Sequence, residues 1–140
     1  MSDLGLTHVA FAVADLERSV RFYQRYAAMQ IVHRRGDATS EVAWLSDLTR
    51  PFVIVLAQLP GAKDTPLGPF GHLGVACASR AEVDRLAALA AADGVLRSGP
   101  TDSGPPVGYW AMIADPDGNT LEVAWGQEVA FTVAQARDKA

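Results

Sequence analysis

The chain has a single cysteine among 140 residues, Cys77, so it can form no internal disulfide, and a small disulfide-stapled scaffold is excluded. No apolar run approaches the roughly 20 residues that span a bilayer, because Arg, Asp or Pro interrupts every hydrophobic segment within a few positions. The opening MSDLGLTH lacks the basic start and apolar core of a signal peptide. These absences point to a soluble protein of the reducing cytoplasm. A basic block is missing as well. Twelve Lys and Arg are interspersed with 16 Asp and Glu for a formal net charge of -4, which argues against nucleic acid and anionic membranes as partners. Neither a phosphate-binding glycine spacing nor a Ser or Cys nucleophile motif occurs.

What is present is apolar content of 49%, enough for one core, and a length suited to one compact domain. Over residues 7–13, Val9, Phe11 and Val13 alternate with His8, Ala10 and Ala12, which is a strand with unequal faces. Asp15 offers an N-cap, and Leu16, Val20, Tyr23 and Ala27 recur at helical spacing, so a helix follows. Strand candidates at 29–34, 41–46 and 51–58 are separated by the polar turn stretches RGDATS and DLTR. The segment LPGAKDTPLGPF reads as a linker.

The pattern then starts again. Leu73, Val75 and Cys77 alternate with His72, Gly74 and Ala76, and Ser79 with Glu82 spells a capping box ahead of Val83, Leu86 and Leu89. A turn at Asp93-Gly94 and strands near Leu96, at 109–114 and at 120–125 complete a second β-α-β-β-β series. Residues 98–107, rich in Gly and Pro, read as a loop, and the tail 127–140 as a short helix that covers a sheet edge or a partner subunit. His72 repeats His8 at a period of about 64 residues, and THVAFAV repeats as GHLGVAC. The expectation is an α+β fold. Two βαβββ modules, at about 5–58 and 71–126 with a linker at about 59–70, would form a curved mixed sheet around a metal-binding cavity.

Thr120, Glu122 and Ala124 share one face of the last strand, which puts Glu122 among small and polar residues. His8, His72 and Glu122 are therefore the candidate metal ligands. Two imidazoles and a carboxylate leave open positions on iron(II), manganese or a similar ion, and sulfur-rich sites are excluded by composition. A lone strand histidine is more often a hydrogen-bonded core or rim residue, and His33, which has no repeat partner, is read that way. Asp115-Pro-Asp-Gly-Asn119 has calcium-loop character only at its start, since the sixth position is Thr120 and the twelfth Gly126; a tight hairpin turn is the expectation. Tyr109 is the candidate proton donor beside the metal, while Trp110 and Met112 read as sheet packing.

The segments THVAFAVADLERSVRFYQRY, GHLGVACASRAEVDRL and YWAMIADPDGNTLEVAWG resemble the vicinal oxygen chelate superfamily, which includes glyoxalase I, extradiol dioxygenases, fosfomycin-resistance proteins and bleomycin-binding proteins. The resemblance implies paired βαβββ modules, a homodimer, a divalent metal and a small-molecule substrate that chelates it through vicinal oxygens. It matches the family's metal ligands to His8, His72 and Glu122. The fourth ligand of glyoxalase I, a glutamate, falls on Val55, which leaves a set like that of the dioxygenases and fosfomycin enzymes. Ring cleavage with Fe(II) is the first candidate reaction, although GPTDSGPPVGYWAM lacks the dioxygenases' acid-base histidine. A glyoxalase-like lyase, isomerase or thiol transferase using Mn, Ni or Zn is one alternative. The other is a metal-free protein that binds an antibiotic or other small molecule.

Overall fold

The computed structural model describes residues 3, 5–61, 66–68 and 70–139. Residues 62–65 and 69 of the expected linker lie outside the described residues. The elements run β1 (His8–Ala12), α1 (Leu16–Ala27), β2 (Gln30–Gly36), β3 (Glu41–Ser46), β4 (Val53–Gln58), β5 (His72–Ala76), α2 (Arg80–Ala92), β6 (Leu96–Asp102), β7 (Tyr109–Ala114), β8 (Thr120–Trp125) and α3 (Val129–Lys139). The expected β-α-β-β-β series thus occurs twice, and each copy closes its own four-stranded mixed sheet. The strand orders are β1-β4-β3-β2 and β5-β8-β7-β6, with the first strand parallel to the fourth and the rest antiparallel. The chain divides into two compact units, Met1–Phe70 with Asp115–Asn119, and Gly71–Ala114 with Thr120–Ala140.

In the first unit, α1 starts where the Asp15 carboxylate accepts the Arg18 N–H at 3.1 Å, and it ends at Ala28 in the left-handed conformation, φ 50°. Leu16, Val20 and Tyr23 bury the helix's apolar stripe, and Phe11, Leu45, Ile54 and Leu56 complete the core from the sheet. Each such aliphatic side chain stabilises the fold by about 1.5–3 kcal/mol through burial. The turn Asp115–Asn119 belongs to this unit. Asp115 Oδ2 accepts the Tyr23 hydroxyl at 2.8 Å, and Asp117 accepts the Ser19 hydroxyl at 2.9 Å and the Ala14 N–H at 3.0 Å. Its backbone closes as a turn, with Asp115 N–H donating to the Asn119 carbonyl at 2.8 Å. Two buried carboxylates thereby satisfy the polar atoms that α1 turns toward the core.

In the second unit, Val83, Leu86 and Ala90 of α2 pack with Ala111, Ile113, Leu121 and Val123. Ser79 caps α2 by accepting the Glu82 N–H at 3.1 Å. The reciprocal half of the expected capping box is replaced: the Glu82 carboxylate takes Arg85 at 2.9 and 2.6 Å, a bidentate pair one turn along the helix. Strand β6 continues through Asp102, so the first part of the stretch read as a loop is paired with β7, with register shifts at Ser98. Among the described residues, no helix is long and apolar enough to cross a membrane.

Candidate functional site

Register fixes which candidate residues share a face. In the second sheet, β5 runs parallel to β8 with His72 opposite Thr120 and Gly74 opposite Glu122. His72 and Glu122 therefore point to the same side, two positions apart on neighbouring strands. Gly74 lies directly beside the carboxylate: a Cβ built there would sit 3.5 Å from Glu122 Oε2, an ordinary van der Waals contact. Glu122 is only 8% exposed, and Gln127 Nε2 donates to its Oε2 at 2.9 Å. Arg97 of β6 donates to the hydroxyl of Thr120, the register partner of His72, and so brings a guanidinium to that face.

The first sheet repeats the arrangement with one substitution. On β1 and β4, His8 stands opposite Val53 and Ala10 opposite Val55, so Ala10 is the counterpart of Gly74 and Val55 that of Glu122. His8 Nδ1 and Thr7 Oγ1 share a hydrogen bond of 2.9 Å. When the imidazole N–H donates in that bond, Nε2 carries the lone pair that a metal requires. His8 belongs to the first unit, and His72 and Glu122 to the second. Among the described residues, no three His, Cys, Asp or Glu side chains gather as a metal-holding group.

Tyr109 does not belong to the Glu122 face. Across β7 and β8, Met112 stands opposite Glu122 and Tyr109 opposite Trp125, and three residues along a strand reverse the direction of a side chain. The Tyr109 hydroxyl instead donates to Asp84 of α2, and Arg80 lies over its ring at 3.9 Å while pairing with Asp102 at 3.0 Å. Donation to Asp84 raises the phenol's pKa, so the group holds its proton more tightly there. This corrects the expectation of a proton donor beside the metal.

His33 is the residue that sequence reasoning passed over. It stands opposite Trp44 on β3, with ring centroids 4.8 Å apart, and both line a cleft of about 510 Å³ in the first unit together with His8, Arg50 and Val55. Nothing in the local sequence marks it, because the pairing depends on a register shift between Ile31 and His33.

Comparison with known proteins agrees with this architecture. A family model described as the glyoxalase/bleomycin resistance protein/dioxygenase superfamily matches residues 5–123. The chain belongs to this superfamily. A Pseudomonas aeruginosa relative, protein PA2024, is 36% identical over 124 residues, covering 87% of this chain and 89% of its own. The lactoylglutathione lyase GLX1 of Arabidopsis thaliana is 30% identical over 124 residues, and the match covers 83% of this chain but only 42% of that longer protein. Two solved structures share the fold. The trypanothione-dependent glyoxalase I of Leishmania major has a TM-score of 0.73 at 21% identity, covering 98% of this chain and 96% of its own. A mutant of the fosfomycin-resistance protein FosX of Listeria monocytogenes, complexed with Mn(II) and dihydroxypropylphosphonic acid, has a TM-score of 0.70 at 20% identity, covering 94% and 99%.

Proposed function

We propose that this superfamily member is a metal-dependent enzyme in which His8, His72 and Glu122 ligate one divalent ion and a small substrate chelates that ion through two neighbouring oxygens. The observation that carries the reading is Glu122. A carboxylate this buried, whose Oε2 accepts from a neutral amide, is a donor that a cation would stabilise, and the Arg97 guanidinium that reaches Thr120 already brings positive charge to the same face. It shares its face with His72, and the donor set of two imidazoles and one carboxylate suits iron(II), manganese, nickel or zinc while leaving room for substrate. The manganese in the FosX structure supports a hard divalent ion in this fold.

When bound, the ion would supply Lewis-acid activation of the chelating oxygens and, as iron(II), would admit dioxygen for ring cleavage, the reaction we propose first. The protein's own groups do the rest. Gln127 holds Glu122 by its Oε2, and Thr7 fixes the His8 ring, both of which orient ligands before the ion arrives. Val55, opposite Ala10, puts no fourth carboxylate on the first sheet's counterpart of the Glu122 position, which would leave more positions for substrate. The protein would act in the cytoplasm as a homodimer; the exposed Val129, Phe131 and Val133 of α3 supply apolar surface for a second copy.

The test is elemental analysis of the wild type beside His8→Ala, His72→Ala and Glu122→Gln, each loaded anaerobically with iron(II), manganese, nickel or zinc, with circular dichroism as the folding control. Near-stoichiometric metal in the wild type and a loss of about tenfold or more in affinity in each variant is expected. A wild type that retains none of the four ions sinks the metal reading and leaves a small-molecule binding protein as the function.

A further inference from the structure

Beside His8 the first sheet carries something that the second lacks. Read across β2, β3, β4 and β1, His33 stands opposite Trp44, Trp44 opposite Val55 and Val55 opposite Ala10. The same row in the second sheet is Ser98, Met112, Glu122 and Gly74. Where one sheet has a hydroxyl, a thioether and a carboxylate, the other has an imidazole, an indole and an isopropyl group. The His33 and Trp44 rings meet at 57°, and Trp44 stays 37% exposed although it is the largest apolar side chain on that face. The Arg35 guanidinium also lies 5.9 Å from the indole centroid, and the part of the indole that stays exposed in a cleft of about 510 Å³ is a surface for stacking.

Arg50 supplies the charge. It lines the same cleft next to Pro51 and Phe52, and its guanidinium is planar and permanently cationic. Asp47 feels that charge, and its Oδ1 accepts the Thr49 N–H at 2.9 Å and the Thr49 hydroxyl at 2.6 Å. Asp3 also lines the cleft and favours a ligand whose remaining polar group is a hydrogen-bond donor such as a hydroxyl.

We propose that this cleft binds a planar aromatic carboxylate, its ring laid on Trp44 and His33 and its anionic group held by Arg50. The inference deepens the proposed function by naming the body of the substrate, and it rests on that reading only in treating this ligand as the substrate. The first probe is 2-naphthoate, with 2-naphthalenemethanol as the neutral analogue, titrated into metal-free protein while the indole N–H signals of the three tryptophans are followed by NMR. Saturable movement of the Trp44 signal is expected, with the acid bound about tenfold more tightly than the alcohol. Arg50→Gln, an exposed substitution, should abolish that preference, and Trp44→Phe should weaken both ligands severalfold while the chain stays folded. No saturable shift at Trp44, or equal affinity for acid and alcohol in the wild type, overturns the proposal. Metal content is measured separately: a chain that holds an ion but ignores 2-naphthoate loses only this inference, and one that binds 2-naphthoate at Trp44 without retaining any ion loses only the metal reading.

Discussion

Tyr23→Phe should cost stability at neutral pH and nothing near pH 11.5, because the wild type's phenol is locked in its protonated form. Tyr23 is fully buried in α1, and its hydroxyl donates to Asp115 Oδ2 at 2.8 Å. Burial first, and then the charges of Asp115 and Asp117, push its pKa far above the ordinary phenol value. Removing a hydrogen bond to a buried charged acceptor costs about 2 kcal/mol, since Asp115 Oδ2 is left without that donor. The sign of the pH dependence follows from linkage. Above about pH 10 the unfolded chain releases the phenolic proton and the native chain keeps it, so native stability falls as pH rises. The slope is about 1.4 kcal/mol per pH unit, so roughly 2 kcal/mol is lost over the 1.5 units to about pH 11.5. The phenylalanine variant has no such proton to lose. Urea unfolding of both proteins, followed by tryptophan fluorescence between pH 7 and 11.5, gives the difference directly, and effects of the other tyrosines cancel in it. A stability difference that stays constant from neutral pH to 11.5 would refute the account of a buried, protonated Tyr23.

Two further outcomes follow from local geometry. Gly108→Ala should destabilise by about 2–4 kcal/mol, because its φ is +87° and the new Cβ would lie 2.5 Å from the Trp125 carbonyl oxygen and 2.8 Å from the Gly126 carbonyl carbon. Gly94→Ala, with φ +75° but nothing within 4 Å, should cost only the left-handed backbone term of about 1 kcal/mol; urea midpoints that rank the pair the other way would contradict the clash. Cys77 should react with iodoacetamide at pH 8 more slowly than a free thiol, since burial and then the nearby Glu82 charge raise its pKa and deplete the thiolate. Glu82→Gln should quicken the reaction modestly, and unchanged rates in both comparisons would remove the electrostatic explanation.

Most of the fold was legible because the two periodicities are clean where burial is one-sided. Phe11 and Val13 alternate with small residues, and Leu16, Val20 and Tyr23 repeat at helical spacing, so β1 and α1 can be read directly. Strand β6 could be placed only as a strand near Leu96 and not followed to Asp102, because LRSGPTD has no alternation; it is held by its pairing with β7, through two register shifts. The same distinction governs the site. Alternation puts His72 and Glu122 each on the small-residue face of its own strand, and the β5·β8 register joins those faces, whereas the placement of Tyr109 depends on whether Met112 or Tyr109 faces Glu122, and cross-strand register is a long-range property. His33 escapes for the same reason: every residue of β2 is exposed, so no pattern of burial advertises its partner Trp44.

Asp115 and Asp117 are the clearest case of a signal that is present but points elsewhere. The DPDGN segment reads as a turn and forms one, and a turn explains its Gly and Asn. A turn alone gives no reason for two acids to be buried at 6% exposure each. That reason lies at Ser19 and Tyr23, 98 and 92 residues away along the chain. The hint is in α1: a serine and a tyrosine on the helix's buried side bring hydroxyls that need acceptors. A buried donor on one element therefore predicts an acceptor on another, and here the acids of the hairpin turn meet that demand. The Tyr23→Phe experiment measures how much of the first unit's stability depends on the pairing.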